Sequence, residues 1–141
     1  MSDIIREPNR FVTPNLDIRE RIDAIEARAK EQPQVEIESV HVVGGGMFAR
    51  TIRIPAGVQI SGRIHRAEHI NIMSGGSIIV ITEEGAKHLT GFNIMKCLPG
   101  SKRLARAIED TIWTTIIRTD ETDLNKIEEL FFAKDHNALE N

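Results

Sequence analysis

The residues best suited to chemistry are two histidines and two arginines. Arg63, His65 and His69 lie close together in the chain, and Arg103 follows a later proline-glycine turn. A guanidinium keeps its charge at ordinary pH and has no lone pair to offer a metal, but it binds phosphate or carboxylate with two hydrogen bonds. Imidazole adds a donor whose charge depends on pH, especially beside a negative ligand. These side chains predict an anion-binding site without a metal, and Asn71, which has the strand parity of His69, is expected to add an amide.

An ordinary surface role is the alternative for the two arginines. In that case Arg63 and Arg103 face solvent and pair with carboxylates such as Glu68, Glu109 or Asp110. No serine lies in a nucleophile elbow, and no carboxylate pair has the pattern of an acid and a base. We therefore assign no catalytic residue and no cofactor, and we expect binding rather than catalysis.

Charge and aromatic content argue against nucleic acid as a partner. The net charge is -3, and the chain has one tryptophan and no tyrosine, which leaves few surfaces on which bases could stack. Trp113 is expected in the core or a subunit contact, with a place in a ligand pocket as the alternative. The single cysteine, Cys97, cannot form an intramolecular disulfide and is expected to be a buried packing residue.

Helical periodicity appears on both sides of a strand-rich region. Apolar residues recur at helical spacing over residues 17–32, and the helix is expected to end before Pro33. Its narrow apolar stripe could pack on its own domain or on a neighbouring copy. A second helix is predicted over residues 123–132, with Thr122 as its N-cap.

Short β-branched segments between the helices predict strands. They cover residues 35–43, 48–54, 58–60, 69–73, 78–82 and 111–118. Glycine clusters are expected to form the turns, among them Gly44–Gly46 and the Gly75-Gly76 pair. Many short strands without helices between them favour an antiparallel sandwich or a small barrel.

A chain of 141 residues suits one domain. We divide it into an N-terminal arm and amphipathic helix (1–34), a β-barrel (35–119), and a C-terminal helix with an acidic tail (120–141). The chain shows neither a membrane-spanning run nor a secretory signal, so a cytosolic location is expected.

The glycines and histidines of the central region resemble the first signature of the cupin superfamily. Five residues separate Gly57 from Arg63, which stands at the first histidine position. His65 stands at the second, His69 stands at the glutamate position, and Gly76 closes the motif. The resemblance implies a small β-barrel, in which most members hold a metal with three histidines and a glutamate. Because this ligand set is rewritten here, no metal is expected.

The segment 98–103 occupies the place of the second cupin signature. The last position of that signature is a histidine ligand, and here it is Arg103. Together the two motifs predict a mainly β fold: a single cupin-like antiparallel β-barrel of the jelly-roll type, with an N-terminal and a C-terminal α-helix.

The later part of the chain is also similar to a group of small cupin-like proteins encoded by tailed bacteriophages. The match runs from about Met47 to Leu130 and includes residues 109–116 and 119–123. This resemblance implies a setting in phage infection, either in the host cytoplasm or in the virion, with a phage or host protein as a further partner.

The combined expectation is a phage-encoded, metal-poor cupin-like protein that binds an anionic small molecule, such as a nucleotide-like host defence signal, without required catalysis. We expect a homo-oligomer with no membrane partner. The first alternative is a virion component or oligomeric adaptor that makes contacts through its arm and first helix. The second is a metal-dependent isomerase or dioxygenase that uses His65 and His69 with Glu68 or an outside ligand, since two histidines and a carboxylate could form a facial triad.

Overall fold

The computed structural model describes residues 16–62, 64–82, 84–100 and 102–133. The predicted N-terminal arm, the acidic tail and the candidate site residue Arg63 lie outside this part of the chain. Within the described residues, no helix is long and apolar enough to cross a membrane.

Two helices and nine strands form the described chain. The helices are α1 (Leu16–Ala29) and α2 (Leu124–Phe131). The strands are β1 (Glu38–Gly44), β2 (Met47–Ile54), β3 (Gln59–Ser61), β4 (Ile64–His65), β5 (His69–Thr82), β6 (Gly85–Thr90), β7 (Asn93–Cys97), β8 (Leu104–Arg118) and β9 (Phe132–Ala133).

The apolar stripe of α1 packs on its own chain. Ile22, in the middle of the stripe, is only 1% exposed. Lys102 holds the polar side of the helix, because its Nζ lies 2.9 Å from Asp23 Oδ1 and 3.2 Å from Glu26 Oε2. These ion pairs raise the pKa of Lys102, although burial acts in the opposite direction. Of the two arrangements left open by the sequence, the described structure shows the intramolecular one.

A tight hairpin joins β1 to β2. The strands pair from Glu38 opposite Arg53 to Gly44 opposite Met47, which leaves two residues in the turn. Gly45 and Gly46 occupy them with φ of 60° and 76°. Positive φ at both central positions is the geometry of a type I′ turn, which glycine adopts without strain. The predicted glycine turn is confirmed here.

The predicted turn at Gly75-Gly76 is wrong. The strand β5 continues through both residues, and its register against β8 shifts between Met73 and Ile78. Gly76 has φ of 111°, and a Cβ placed on it would lie 2.5 Å from the carbonyl oxygen of Asp110. The glycine is therefore required by the close approach of a neighbouring backbone rather than by a change of chain direction.

Two long strands organise the sheet. The order is β1-β2-β8-β5-β6, while β3 also pairs with β8 and β7 also pairs with β5. All of these pairs are antiparallel. Along its length β5 pairs first with β7 and then with β6, and β8 pairs first with β3 and then with β2. These changes of partner allow the sheet to curve around an interior. The strands β6 and β7 were not predicted, since residues 85–97 lack a sustained β-branched run.

The second helix closes one end of the core. Ile127 is fully buried and packs with Phe48 and Ile117. The N-cap is Asp123 rather than the predicted Thr122, because Asp123 Oδ1 accepts hydrogen bonds from the backbone N–H groups of residues 125 and 126. Leu124, the first residue of the helix, is 42% exposed. After α2, the short strand β9 pairs with β4 in a separate sheet.

Candidate functional site

A cavity of about 300 Å³ lies inside the curved sheet; we call it the barrel cavity. Its apolar lining includes Phe48, Ile52, Ile54, Ile60, Val80 and Trp113. Its polar lining includes Arg50, His65, His69, Asn71, Arg103 and Thr115. No Asp or Glu among the described residues lines it. The structure thus brings together four of the five predicted site residues, and the fifth, Arg63, lies outside the described chain.

Strand pairing explains how distant residues share this interior. Arg50 on β2 lies opposite Thr115 on β8, and Thr115 lies opposite Asn71 on β5. Directly opposed residues in a sheet project from the same face. The same register places Ile52 beside Trp113. The alternation of each strand therefore supplies one cavity residue at every second position.

Arg103 points into the structure instead of towards solvent carboxylates. Its Nη2 lies 2.6 Å from the Sγ of Cys97, and its guanidinium carbon lies 5.7 Å from the centre of the Trp113 ring. Its Nη1 is buried and has no hydrogen-bond partner among the described residues. Asp110, named above as a surface partner for the arginines, instead pairs with Arg53, whose Nη2 lies 3.7 Å from Asp110 Oδ2. The surface alternative is therefore wrong for Arg103.

The two histidines stack on each other at the cavity wall. Their ring centres are 4.0 Å apart and the planes differ by 25°. His69 is 5% exposed, and its Nδ1 lies 3.1 Å from the carbonyl oxygen of Ala67. The pKa of His69 is lowered to about 4, mainly by burial and to a smaller extent by the charge of Arg103, against a raising effect of the hydrogen bond to Ala67. His69 is therefore neutral at pH 7, and its predicted role as a charged donor requires the negative charge of a ligand.

Asn71 and Cys97 form a buried polar cluster below the histidines. Asn71 Nδ2 donates to Cys97 Sγ at 3.1 Å, and Asn71 Oδ1 accepts from Thr115 Oγ1 at 2.9 Å. Burial raises the pKa of the Cys97 thiol, although Arg103 and the Asn71 hydrogen bond act in the opposite direction. The amide of Asn71 is thus largely committed to the protein, and it holds Cys97 against the guanidinium of Arg103.

Two cavity features were not predicted. Cys97 was expected only as packing, but it lies opposite His69 in the sheet and contacts Arg103. Arg50 was not a candidate, yet it lines the cavity and its Nη2 forms a 2.7 Å ion pair with Glu128 of α2. The alternation of β2 could have placed Arg50 inside, whereas its partner on a distant helix leaves no local signal.

The C-terminal segment borders the cavity on two sides. Glu128 on α2 holds Arg50, and the backbone of Phe132 on β9 pairs with His65 on β4. Arg50 also donates from Nε to His41 Nε2 at 3.0 Å. The position of the cavity residues on β2 and β4 therefore depends on residues near the end of the described chain.

The cavity residues do not fit the metal that most cupins hold. Among the described residues, no three His, Cys, Asp or Glu side chains are grouped so that they could hold a metal ion. Arg103 lies close enough to His69 to lower its pKa, so it would also repel a cation bound there. Glu68, which was to complete a facial triad with His65 and His69, has an exposed position. We derive no chemistry through a metal.

Solved structures of other proteins resemble this fold. KdgF from Halomonas sp. is 18% identical, with a TM-score of 0.54 over 67% of this chain and 93% of that one. A cupin 2 domain-containing protein from Halorhodospira halophila is 13% identical, with a TM-score of 0.53 over 70% and 79%. A cupin superfamily protein from Desulfitobacterium hafniense DCB-2 is 6% identical, with a TM-score of 0.52 over 63% and 83%. No family model matches the sequence, and no curated protein does.

These likenesses establish the class of fold. The chain folds as a mainly β, single cupin-like antiparallel barrel of the jelly-roll type, with an α-helix before and after it. The predicted fold is confirmed. At such low identities the comparisons show the fold alone, so the phage setting and the anionic ligand stay predictions.

Proposed function

We propose that the protein binds a small anionic molecule in the barrel cavity, with Arg103 as the fixed cation that recognises it. The observation that carries this proposal is the buried Nη1 of Arg103, which has no hydrogen-bond partner among the described residues. A buried donor without a partner costs free energy, and more so when it is charged. Because Arg103 also lines the cavity, an anionic ligand there would lie beside a guanidinium that has a donor to spare.

The remaining electrostatics of the cavity support the same ligand charge. Neither an Asp nor a Glu among the described residues lines the cavity, so no carboxylate of that lining would repel an anion. Arg103 and Arg50 are both on its wall. A bound anion would also favour protonation of His69, because a nearby negative charge raises a histidine pKa. His65 and His69 then act as donors whose strength depends on the ligand.

The chain contains a built-in reporter of binding. Trp113 is the only tryptophan, it lines the cavity, and it lies against Arg103. We expect organic anions to change its fluorescence in a saturable manner and to raise the melting temperature. Arg103→Gln should remove both effects, while Arg106→Gln, a change at an exposed position of β8, should preserve them. An unchanged response of Arg103→Gln would contradict the proposal.

The biological setting of this proposal is phage infection, and it rests on the sequence resemblance alone. In that setting the protein is a binding protein of the infected host cytoplasm that removes an anionic signal, and catalysis is not required. Mass spectrometry of purified virions and of infected-cell lysate distinguishes this role from that of a virion component. A stoichiometric amount in virions would favour the structural alternative.

A second candidate function, self-association, is favoured by the outer face of the sheet. One row of opposed residues crosses five strands without a charge: Val40, Thr51, Thr114, Ile72 and Ile94. The two threonine hydroxyls in this row lie 2.8 Å apart and form a hydrogen bond with each other, so each keeps one hydrogen-bond partner when the face is covered. We propose that a second copy of the chain covers this outer sheet face and gives a homo-oligomer.

The outer sheet face can be tested with single lysine substitutions. Ile70 belongs to this face and is 45% exposed, whereas Leu130 on α2 is exposed elsewhere. Light scattering should show an oligomer for the wild type and for Leu130→Lys, and a smaller species for Ile70→Lys. A wild type that is monomeric at high concentration would exclude the proposed association.

A further inference from the structure

The charge and the walls of the barrel cavity narrow the class of ligand. We propose that the ligand is a small monocarboxylate with an apolar body, whose carboxylate binds Arg103 and whose body lies against the aliphatic wall. This inference rests on the proposed anion-binding function and adds the chemical class. It departs from the nucleotide-like ligand expected from the sequence.

Among the described residues, the number of positive charges available to a ligand favours a single negative charge. Arg103 offers a donor that has no hydrogen-bond partner in that part of the chain, but Arg50 is already held by Glu128 at 2.7 Å. His69 is neutral until a ligand charges it, since its pKa is lowered to about 4. A phosphate ester or a polyphosphate would bring at least one more negative charge than Arg103 balances, and burying it unpaired is costly.

The apolar side of the cavity is continuous with the core. Five of the seven residues in the buried core cluster also line the cavity: Ile54, Ile78, Val80, Ala105 and Trp113. A polar sugar placed against these side chains would lose its hydrogen bonds to water without replacement. A hydrocarbon chain or ring would gain from burial there.

The volume of the cavity sets the size of the ligand. The cavity has a volume of about 300 Å³. This space is at the lower end of the range for ligand pockets. It suits an acid with a short chain or one ring, and it offers little room for a base, a ribose and a phosphate together.

A homologous series of acids tests the class directly. Acetate, butyrate and hexanoate are titrated into the full chain while the fluorescence of Trp113 is followed, with calorimetry as a second readout. We expect the dissociation constant to fall about fourfold for each added methylene until the cavity is full. Benzoate should bind more tightly than acetate for the same reason.

Matched ligands and variants separate this inference from the proposed function. Inorganic phosphate and adenosine monophosphate test the other anion chemistry, and hexanamide is the neutral partner of hexanoate. Arg103→Gln should weaken hexanoate binding about 10- to 100-fold, while Arg106→Gln should bind it as the wild type does. Thermal denaturation checks that each variant is folded, and Arg103→Lys retains the charge if Arg103→Gln does not fold.

Each outcome has a defined meaning. Tighter binding of adenosine monophosphate or phosphate than of hexanoate, lost in Arg103→Gln, would overturn the monocarboxylate inference and leave anion binding intact. Equal binding of hexanamide and hexanoate would overturn anion recognition itself. Binding of none of these probes would overturn both. A methylene-dependent affinity that requires the carboxylate and Arg103 supports both.

Discussion

Replacing Arg103 with methionine should stabilise the protein while abolishing anion binding. The unpartnered Nη1 is buried, and leaving such a donor without a hydrogen bond costs about 1–3 kcal/mol. Methionine keeps an unbranched stem and brings no donor that needs a partner. The substitution therefore removes a cost that the free protein bears for its binding site.

Two favourable contacts reduce the expected gain. Arg103 Nη2 contacts Cys97 Sγ, and its guanidinium lies over the Trp113 ring. A cation over an aromatic face contributes about 0.5–1 kcal/mol at an exposed site, and somewhat more when it is desolvated. The difference leaves a net stabilisation of about 1 kcal/mol, which corresponds to a rise of about 4 °C in melting temperature.

Urea denaturation of the wild type and of Arg103→Met measures this difference. Arg106→Met provides the control, because Arg106 is exposed on the same strand and its replacement should change stability by less than about 0.5 kcal/mol. A loss of stability of more than about 1 kcal/mol in Arg103→Met would refute the reasoning, because it would show that the guanidinium is satisfied in the free protein.

Three further perturbations test the surroundings of the site. The pKa of His69 is about 4 in the folded protein and 6.5 in its ordinary state, so the unfolded chain takes up a proton first as the pH falls. The free energy of unfolding should therefore fall by up to about 3 kcal/mol between pH 7 and 4. Denaturation at several pH values should show a flatter pH dependence for His69→Gln. Glu128→Gln removes the carboxylate that pairs with the cavity arginine of β2, so calorimetry should show a carboxylate affinity up to about fivefold higher, with Glu129→Gln unchanged. Gly76→Ala should destabilise the fold by about 2 kcal/mol or more, because the added Cβ would lie 2.5 Å from a backbone carbonyl oxygen. Gly75→Ala is the control, since its Cβ would meet no atom within 4 Å. Equal melting temperatures of the two variants would contradict this account.

The fold could be predicted where local pattern and tertiary structure agree. The segment that forms β2 is bounded by a glycine turn and a proline, and Gly45 and Gly46 turn the chain locally, so both were predicted correctly. The prediction failed at Gly75-Gly76 because one of these glycines is required by a neighbouring strand. Local sequence does not distinguish a glycine that turns the chain from one that admits another backbone.

The candidate site, like the fold, was predicted in part. The resemblance to the two cupin signatures predicted that His65, His69 and Arg103 lie together, and all three line the cavity. The contacts of Cys97 and Arg50 were not predictable from spacing, since they depend on cross-strand register and on a helix far along the chain.

An arginine at a position that resembles a metal-ligand position changes the charge that a ligand of the barrel interior would carry. A metal-binding barrel gathers acceptors around a cation that remains in place, whereas here the cation, Arg103, is part of the chain and its Nη1 has no hydrogen-bond partner within the described residues. Under the proposed function, the balancing negative charge arrives with a ligand. Because the same burial keeps His69 neutral, an arriving anion would favour proton uptake at that imidazole. Anion affinity should therefore increase as the pH is lowered from 7 towards 5, and a pH-independent affinity would separate His69 from the recognition of the ligand.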